Sequence, residues 1–457
     1  MARPTDRHPA EETALPTAAE AGKDLRPLSE PPQTRRHPPG AQAERKCPVL
    51  TRPAIAFVSA VYPGQHGLLC EHLRREGLAE TWFLTTPGHA ASNAGKVPNL
   101  IPFEPDGKIT GSQSYYYSSK VERSARISRG ALKALEKLRQ KTRIDVVFVH
   151  SLWGAPQFLY DEIDAAIVSY IEFPSYRAHG WDPDYPPDQA QRLSDRNTEM
   201  LHFHQVLCSD LTIVPSAHAK SMFPPELRGR IEVQFEGFDI APPPVAPVLD
   251  KKFTIGFAAR DLSNAKGIDV FMRLVHRLVE EGFDARFLAI GDPDASTYGY
   301  EQQWVERRHG GKVKNFRDHL LGVYPKARGI EFPGKLPYDR FSALIDEIDL
   351  FLYPLRFGVA NWGLMEILAR GGCVIAPDRG YAAELVIDDV NGLLLPDDDE
   401  RWIEAIRALK QDPDRRARYG AAAQETGRSF HISAVAPRYM RLFRQAIEAR
   451  RGRLGAV

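Results

Sequence analysis

The chain has 457 residues, of which 43% are hydrophobic and 26% charged, with a formal net charge of +1. Such a length exceeds one hydrophobic core and predicts two domains of about 150–200 residues each, while the near-zero charge argues against bulk capture of nucleic acid and leaves only local basic patches. The cysteines Cys47, Cys70, Cys208 and Cys373 are widely spaced with no C-x-x-C pair, which argues against a disulfide framework or structural zinc site and fits a reducing compartment.

Residues 1 to about 52 are rich in Pro, Ala, Glu and Arg and poor in aromatics, so they read as a disordered tail. The N-terminus lacks the apolar core of a signal peptide, and no run approaches the ~18 apolar residues of a membrane span, so the chain reads as cytoplasmic. Order is predicted from Pro53, with a buried strand to Ala60, a Gly-containing turn at Pro63-Gly64-Gln65 and a helix from about Leu68 to Glu76. A strand over 80–85, a long polar loop through Tyr115–Tyr117, a basic helix and strands at 145–150 and 166–172 continue the alternation. The irregular stretch 180–187, a helix over 192–207, and strands at 211–215 and 231–235 complete a first domain over 53–240.

Residues 241–251, opening Ala-Pro-Pro-Pro-Val-Ala-Pro, read as a semi-rigid linker. Strand–helix alternation then restarts over 252–433, and an amphipathic helix over about 434–450 is placed to return and brace the first domain. Two βα-alternating halves predict an α/β chain of two Rossmann-like, doubly wound domains facing a cleft.

The most informative unit runs from Asp349 to Leu395: an apolar strand, a loop over 355–362, a helix closed by Gly371-Gly372, and a second buried strand. Units of this kind bind ligands at the carboxyl ends of their strands, with phosphates at the helix N-terminus. Glu366 lies one turn into this helix, where it reaches a ribose or, on the plainer reading, pairs with Arg370 at i+4. A second loop in the same domain carries Arg260 and Lys266 before a helix beginning at Gly267. These are either surface charges or, with the helix start at Asn361–Gly363, two cations and two helix dipoles suited to a diphosphate. Gly267 is expected to allow close backbone approach.

The order and spacing of these residues resemble retaining glycosyltransferases of the GT-B fold, family 4. Arg260 and Lys266-Gly267 resemble the family's diphosphate clamp, and Glu366 resembles the second acid of its E-x7-E motif. Pro63-Gly-Gln65, His150-Ser-Leu-Trp-Gly154, Tyr170-Ile-Glu-Phe173 and Trp181-Asp-Pro-Asp184 resemble a bacterial subgroup of that family, as does the segment from Arg196-Asn197 to Val214-Pro215-Ser216. The position of the first acid is Gly358, an absence shared with that subgroup.

The resemblance implies a donor site formed by Gly64, Gly267, Tyr338, Asn361, Trp362, Gly363 and Glu366, with the base near Gly334–Tyr338. It implies a UDP- or GDP-linked sugar as substrate, a glycan, lipid-linked or other hydroxyl acceptor, retention of configuration, and no cofactor or metal. Arg260, Lys266, Glu172 and His150 are the candidate catalytic groups. Glu172 would bind a sugar hydroxyl or assist the acceptor; His150 either faces the cleft or is a satisfied structural histidine. A GT-B nucleotide-sugar epimerase and a non-catalytic sugar-nucleotide-binding protein are the alternatives. Three D-x-D triplets, at Asp182, Asp292 and Asp397, read as turns rather than as metal–diphosphate motifs. The helix over 120–143 carries nine Lys and Arg against two Glu. It reads as a solvated face or as a peripheral contact with the anionic inner membrane face.

Overall fold

The computed structural model describes residues 52–107, 115–240, 251–296 and 299–454. Both the N-terminal tail and the linker core Ala241–Pro247 lie outside these residues. The first seven strands are β1 Ala54–Val58, β2 Glu80–Thr85, β3 Leu100–Pro102, β4 Val146–His150, β5 Ala166–Tyr170, β6 Leu211–Val214 and β7 Ile231–Val233. They form one parallel sheet in the order β3-β2-β1-β4-β5-β6-β7. A second parallel sheet, in the order β10-β9-β8-β11-β12-β13, contains β8 Thr254–Asp261, β9 Arg286–Asp292, β10 Glu331–Gly334, β11 Leu350–Leu352, β12 Val374–Pro377 and β13 Leu393–Leu395. The strand order reverses between β1 and β4 and again between β8 and β11. Such switch points open crevices at the strands' carboxyl ends, and the loops after these four strands build the site.

Near-continuous apolar strands such as Ala54-Ile-Ala-Phe-Val58 are buried along their length, as a sheet covered on both faces requires. One cover of the first sheet comes from the chain's far end. Helix Ile432–Leu454 sets Ile432, Val435, Ala436, Tyr439, Met440, Phe443, Ala446 and Ile447 against Ile55, Phe57, Phe148 and Tyr170. Those positions recur at the three- and four-residue spacing of one helical face. The chain crosses between the domains at two adjacent points: Phe238 N–H donates to Phe430 O at 3.2 Å, and Ile432 N–H donates to Phe238 O at 2.8 Å.

The domains also exchange side chains. From the first, Tyr185 packs edge-on against Trp304 and Phe316, with centroids at 5.1 and 5.0 Å. From the second, Phe357 stacks on Phe173 at 4.7 Å and meets His179 at 4.0 Å. Arg356 beside it bridges Asp182 at 3.2 Å and Asp269 at 2.8 Å.

Five elements in particular were not expected from the sequence. Strand β3 lies inside the stretch read as a polar loop; two half-covered residues and the exposed Pro102 leave little pattern to read. Helices Glu301–His309, Phe316–Val323, Asp399–Gln411 and Pro413–Arg428 fill segments for which no element was expected. The basic helix spans Ser119–Arg139 and packs Ile127, Ala131, Leu135 and Leu138 onto the first sheet. Much of its charge is engaged within the chain. Lys120 pairs with Asp195 at 2.6 Å, Lys133 with Asp106 at 2.8 Å and Arg126 with Glu122 at 2.7 Å, while Arg123 lies 5.2 Å over the Trp153 ring. Among the described residues, no helix is long and apolar enough to cross a membrane.

Candidate active site

A cavity of about 650 Å³ opens between the domains at the carboxyl ends of β1, β4, β5, β8, β9, β10 and β11. Gly64, Gln65, Trp153 and Glu172 line its first-domain wall; Arg260, Lys266, Lys335, Asn361, Trp362, Gly363 and Glu366 line the other. Seven strand ends distant in sequence thus meet because parallel strands deliver all their carboxyl ends to one edge.

Lys266 closes a short 3-10 turn, Asn264–Lys266. Burial pushes its ammonium down to about 8; Arg260 adds to the fall, and Asp261 and Glu172 oppose it. A cation held below its ordinary pKa gains most when an anion arrives. Arg260 reaches outward with 71% of its side chain exposed, 3.8 Å from the buried Asp261 carboxylate. Lys335, which follows the left-handed Gly334 at the end of β10, adds a third cation that the sequence reading passed over. Its signal was a lysine directly after a strand-ending glycine.

Glu366 is buried in the first turns of helix Trp362–Ala369. Its Oε1 accepts from Tyr338 Oη at 2.9 Å and from Arg370 Nε at 3.2 Å, and Arg370 continues to Asp346 at 3.0 Å. The pairing with Arg370 and a place on the cavity wall therefore coexist, and the pairing fixes the carboxylate. Tyr338 does not line the cavity as expected; its hydroxyl is spent on Glu366. The amide of Gly363, part of the helix start expected to serve a diphosphate, donates to the Asn361 side chain at 2.9 Å. Gly267 does not line the cavity. At φ +85° it occupies the left-handed region, and an added Cβ would stand 2.0 Å from the Pro354 carbonyl. Its glycine serves the packing of two loops of one domain.

Glu172 follows β5 and receives Gln65 Nε2 at 2.8 Å. His150 is fully buried behind it and does not line the cavity. The amides of Leu152 and Trp153 donate to His150 Nδ1 at 3.3 and 3.4 Å, which assigns the ring proton to Nε2. That nitrogen stands 3.6 Å from Glu172 Oε2. The strand-end rule brought His150 to the right edge, but the turn after β4 covers it. Deeper still, burial drives His66 well below its ordinary pKa and raises Glu236 to about 8. Tyr170 donates to Glu236 and opposes part of that rise.

Gly358, where the first acid of the motif would stand, donates its N–H to His179 Nε2 at 3.4 Å. The loop on either side, through Phe357 and Val359, belongs to the apolar contact with Phe173, Met222 and Phe223. It is committed to the domain junction, while Ala360, Asn361 and Trp362 reach the cavity. The D-x-D triplets are turns and caps. Asp182 accepts from the Asp184 amide at 2.9 Å, Asp292 from that of Asp294 at 3.0 Å, and Asp398 from that of Glu400 at 3.0 Å. Among the described residues no group of three His, Cys, Asp or Glu side chains is arranged to hold a metal.

Two family models match the chain in tandem: "Glycosyl transferase family 4 group" over 78–242 and "Glycosyl transferases group 1" over 252–412. The putative colanic acid biosynthesis glycosyltransferase WcaL of Escherichia coli K12 is 28% identical over 174 residues, 36% of this chain and 38% of that protein. The matched stretches span less than half the length of the curated relatives. Sucrose-phosphate synthase from Thermosynechococcus elongatus shares the fold at a TM-score of 0.64 and 17% identity, covering 87% of this chain and 100% of that one. Anabaena HepE in complex with UDP-glucose does so at 0.57 and 15%, covering 84% and 97%. With one glycosyltransferase model on each of two facing Rossmann-like domains, the chain belongs to the family-4-like glycosyltransferases of the GT-B fold.

Proposed function

We propose that the protein transfers a hexose-type sugar from a nucleotide diphosphate to a hydroxyl acceptor, glycan or lipid-linked, with retention at the anomeric carbon. The observation that carries this reading is the meeting of Arg260, Lys266 and the start of helix Trp362–Ala369 with Glu366 in one interdomain cavity. In such a transfer, negative charge builds on the leaving diphosphate as the glycosidic bond breaks. Fixed cations and a helix N-terminus aimed at that charge lower the barrier without reorganising. Glu366, held by Tyr338 and Arg370, accepts from the ribose hydroxyls. Glu172, held by Gln65 with His150 behind it, accepts from a hydroxyl of the transferred sugar or of the acceptor on the opposite wall. The chain's own cations take the place of a metal in this scheme.

HepE, crystallised with UDP-glucose, shares this fold, which favours a UDP-linked donor as the first to test. Retention rests on the family. A cytoplasmic setting fits the free thiols of Cys70, Cys208 and Cys373, and any membrane contact would use the cations of helix Ser119–Arg139 not engaged within the chain. Incubation with UDP-, GDP- and ADP-sugars, followed by nucleotide release with and without candidate acceptors, tests the reading. Acceptor-dependent release of a nucleoside diphosphate is expected. Formation of an epimeric nucleotide sugar, or binding without turnover, overturns it.

A further inference from the structure

A second cavity, of about 290 Å³, lies at the domain junction beside the exchanged side chains. It shares no lining residue with the cavity of Lys266. The turn Asn264–Lys266 divides the two: Asn264 and Ala265 face this one and Lys266 the other. Its size is at the lower end of small-molecule sites, about 300–1,000 Å³.

The lining is aromatic and charged at once. Tyr176, Trp181 and Tyr300 contribute half-buried rings. Both guanidiniums are engaged by carboxylates: Arg356 by Asp182 and Asp269, and Arg379 by Asp397 at 3.4 Å. An anion would find no uncommitted cation here, and a purely apolar ligand would strip water from three aspartates. Two polar atoms remain. Asn264, 2% exposed, has no hydrogen-bond partner for Oδ1, and Trp181 has none for its buried Nε1, among the described residues. An unsatisfied donor from the first domain and an unsatisfied acceptor from the second suit a ligand whose groups both donate and accept, which is the property of a hydroxyl. Rings for the C–H faces, paired ions at the rim and a free donor–acceptor couple describe a neutral polyhydroxylated ligand.

We infer that this cavity, bounded by Trp181, Tyr300, Asn264 and the Arg356–Asp182 pair, is a second carbohydrate-binding site for a neutral sugar, separate from the donor cavity and held by both domains. It binds a saccharide unit without turning it over, and by touching both domains it favours their observed arrangement.

Saturation-transfer NMR with glucose, N-acetylglucosamine and maltose, each at millimolar concentration with and without excess UDP, tests this. At least one sugar is expected to show transfer that persists with UDP and in Lys266→Ala. It should fall at least fivefold in Trp181→Ala and in Arg379→Ala, the latter an exposed change that spares folding; thermal melting checks that both variants remain folded. No transfer to any sugar, or transfer lost in Lys266→Ala yet kept in Trp181→Ala, overturns the inference. Should UDP fail to bind, the donor reading fails, and the tryptophan variant still decides this one.

Discussion

The two interdomain cavities share the loops after β8 and β11 but have opposite electrostatics. On the Lys266 side, cations predominate on the second-domain wall, and the ammonium is held near its titration point by burial. On the Trp181 side, every guanidinium is matched by a carboxylate. The loop after β11 supplies both walls, Arg356 and Phe357 to one and Asn361 and Trp362 to the other. The contrast teaches that the loop around Gly358 is committed to joining the domains, and that the cations of the Lys266 cavity come from the loops of β8 and β10.

The comparison is broken most severely at Phe357, which is 9% exposed and stacked in the first domain. Phe357→Ala should cost about 3–5 kcal/mol of stability, as large buried aromatic truncations do, with a matching fall in the denaturation midpoint. A change under 1 kcal/mol would mean that the stacking does not hold the junction. Next in size, Lys266→Ala should lower kcat/KM by roughly a hundredfold, the scale of one preorganised charge-stabilising group, with the melting temperature unchanged.

The Lys266 titration sharpens the contrast further. Its folded pKa of about 8 lies below the ordinary lysine value, so below that pH the ammonium is already formed when the donor binds. Above it, binding must take up a proton, and donor affinity should fall by up to about tenfold per pH unit. Isothermal titration across pH 7–10 would show this as roughly one proton taken up; Lys266→Arg, always charged, should flatten the slope. The smallest effect is expected at Gly358. Its φ is not left-handed, and an added Cβ would meet only the flexible Leu355 side chain at 3.2 Å. Gly358→Ala should stay within about 0.5 kcal/mol in stability and within twofold in rate. A larger loss of rate would return this position to the chemistry.

Much of the scaffold was legible because buried parallel strands are short apolar runs bounded by turn residues. Strand β2 falls on the expected residues, and β4, β8 and β12 shift by a few at their ends. What escaped was local pattern too thin to read, such as the three residues of β3. The polar helix Glu301–His309 escaped because its buried positions are few.

The sequence by itself determined the two-domain alternation, the switch-point loops and the presence of Arg260, Lys266, Glu172 and Glu366 at strand ends or helix starts, because periodicity and turn chemistry are local. Only the tertiary structure decided which of those groups share a cavity. It buried His150 under its own turn, spent Tyr338 and the Gly363 amide on neighbours, and gave Gly267 to the Pro354 carbonyl. It also created the Trp181 cavity from residues 176–185, 264, 300, 356, 357, 379 and 397. Orientation, burial and mutual distance across two domains depend on packing between segments far apart in the chain, and no spacing within one segment records them.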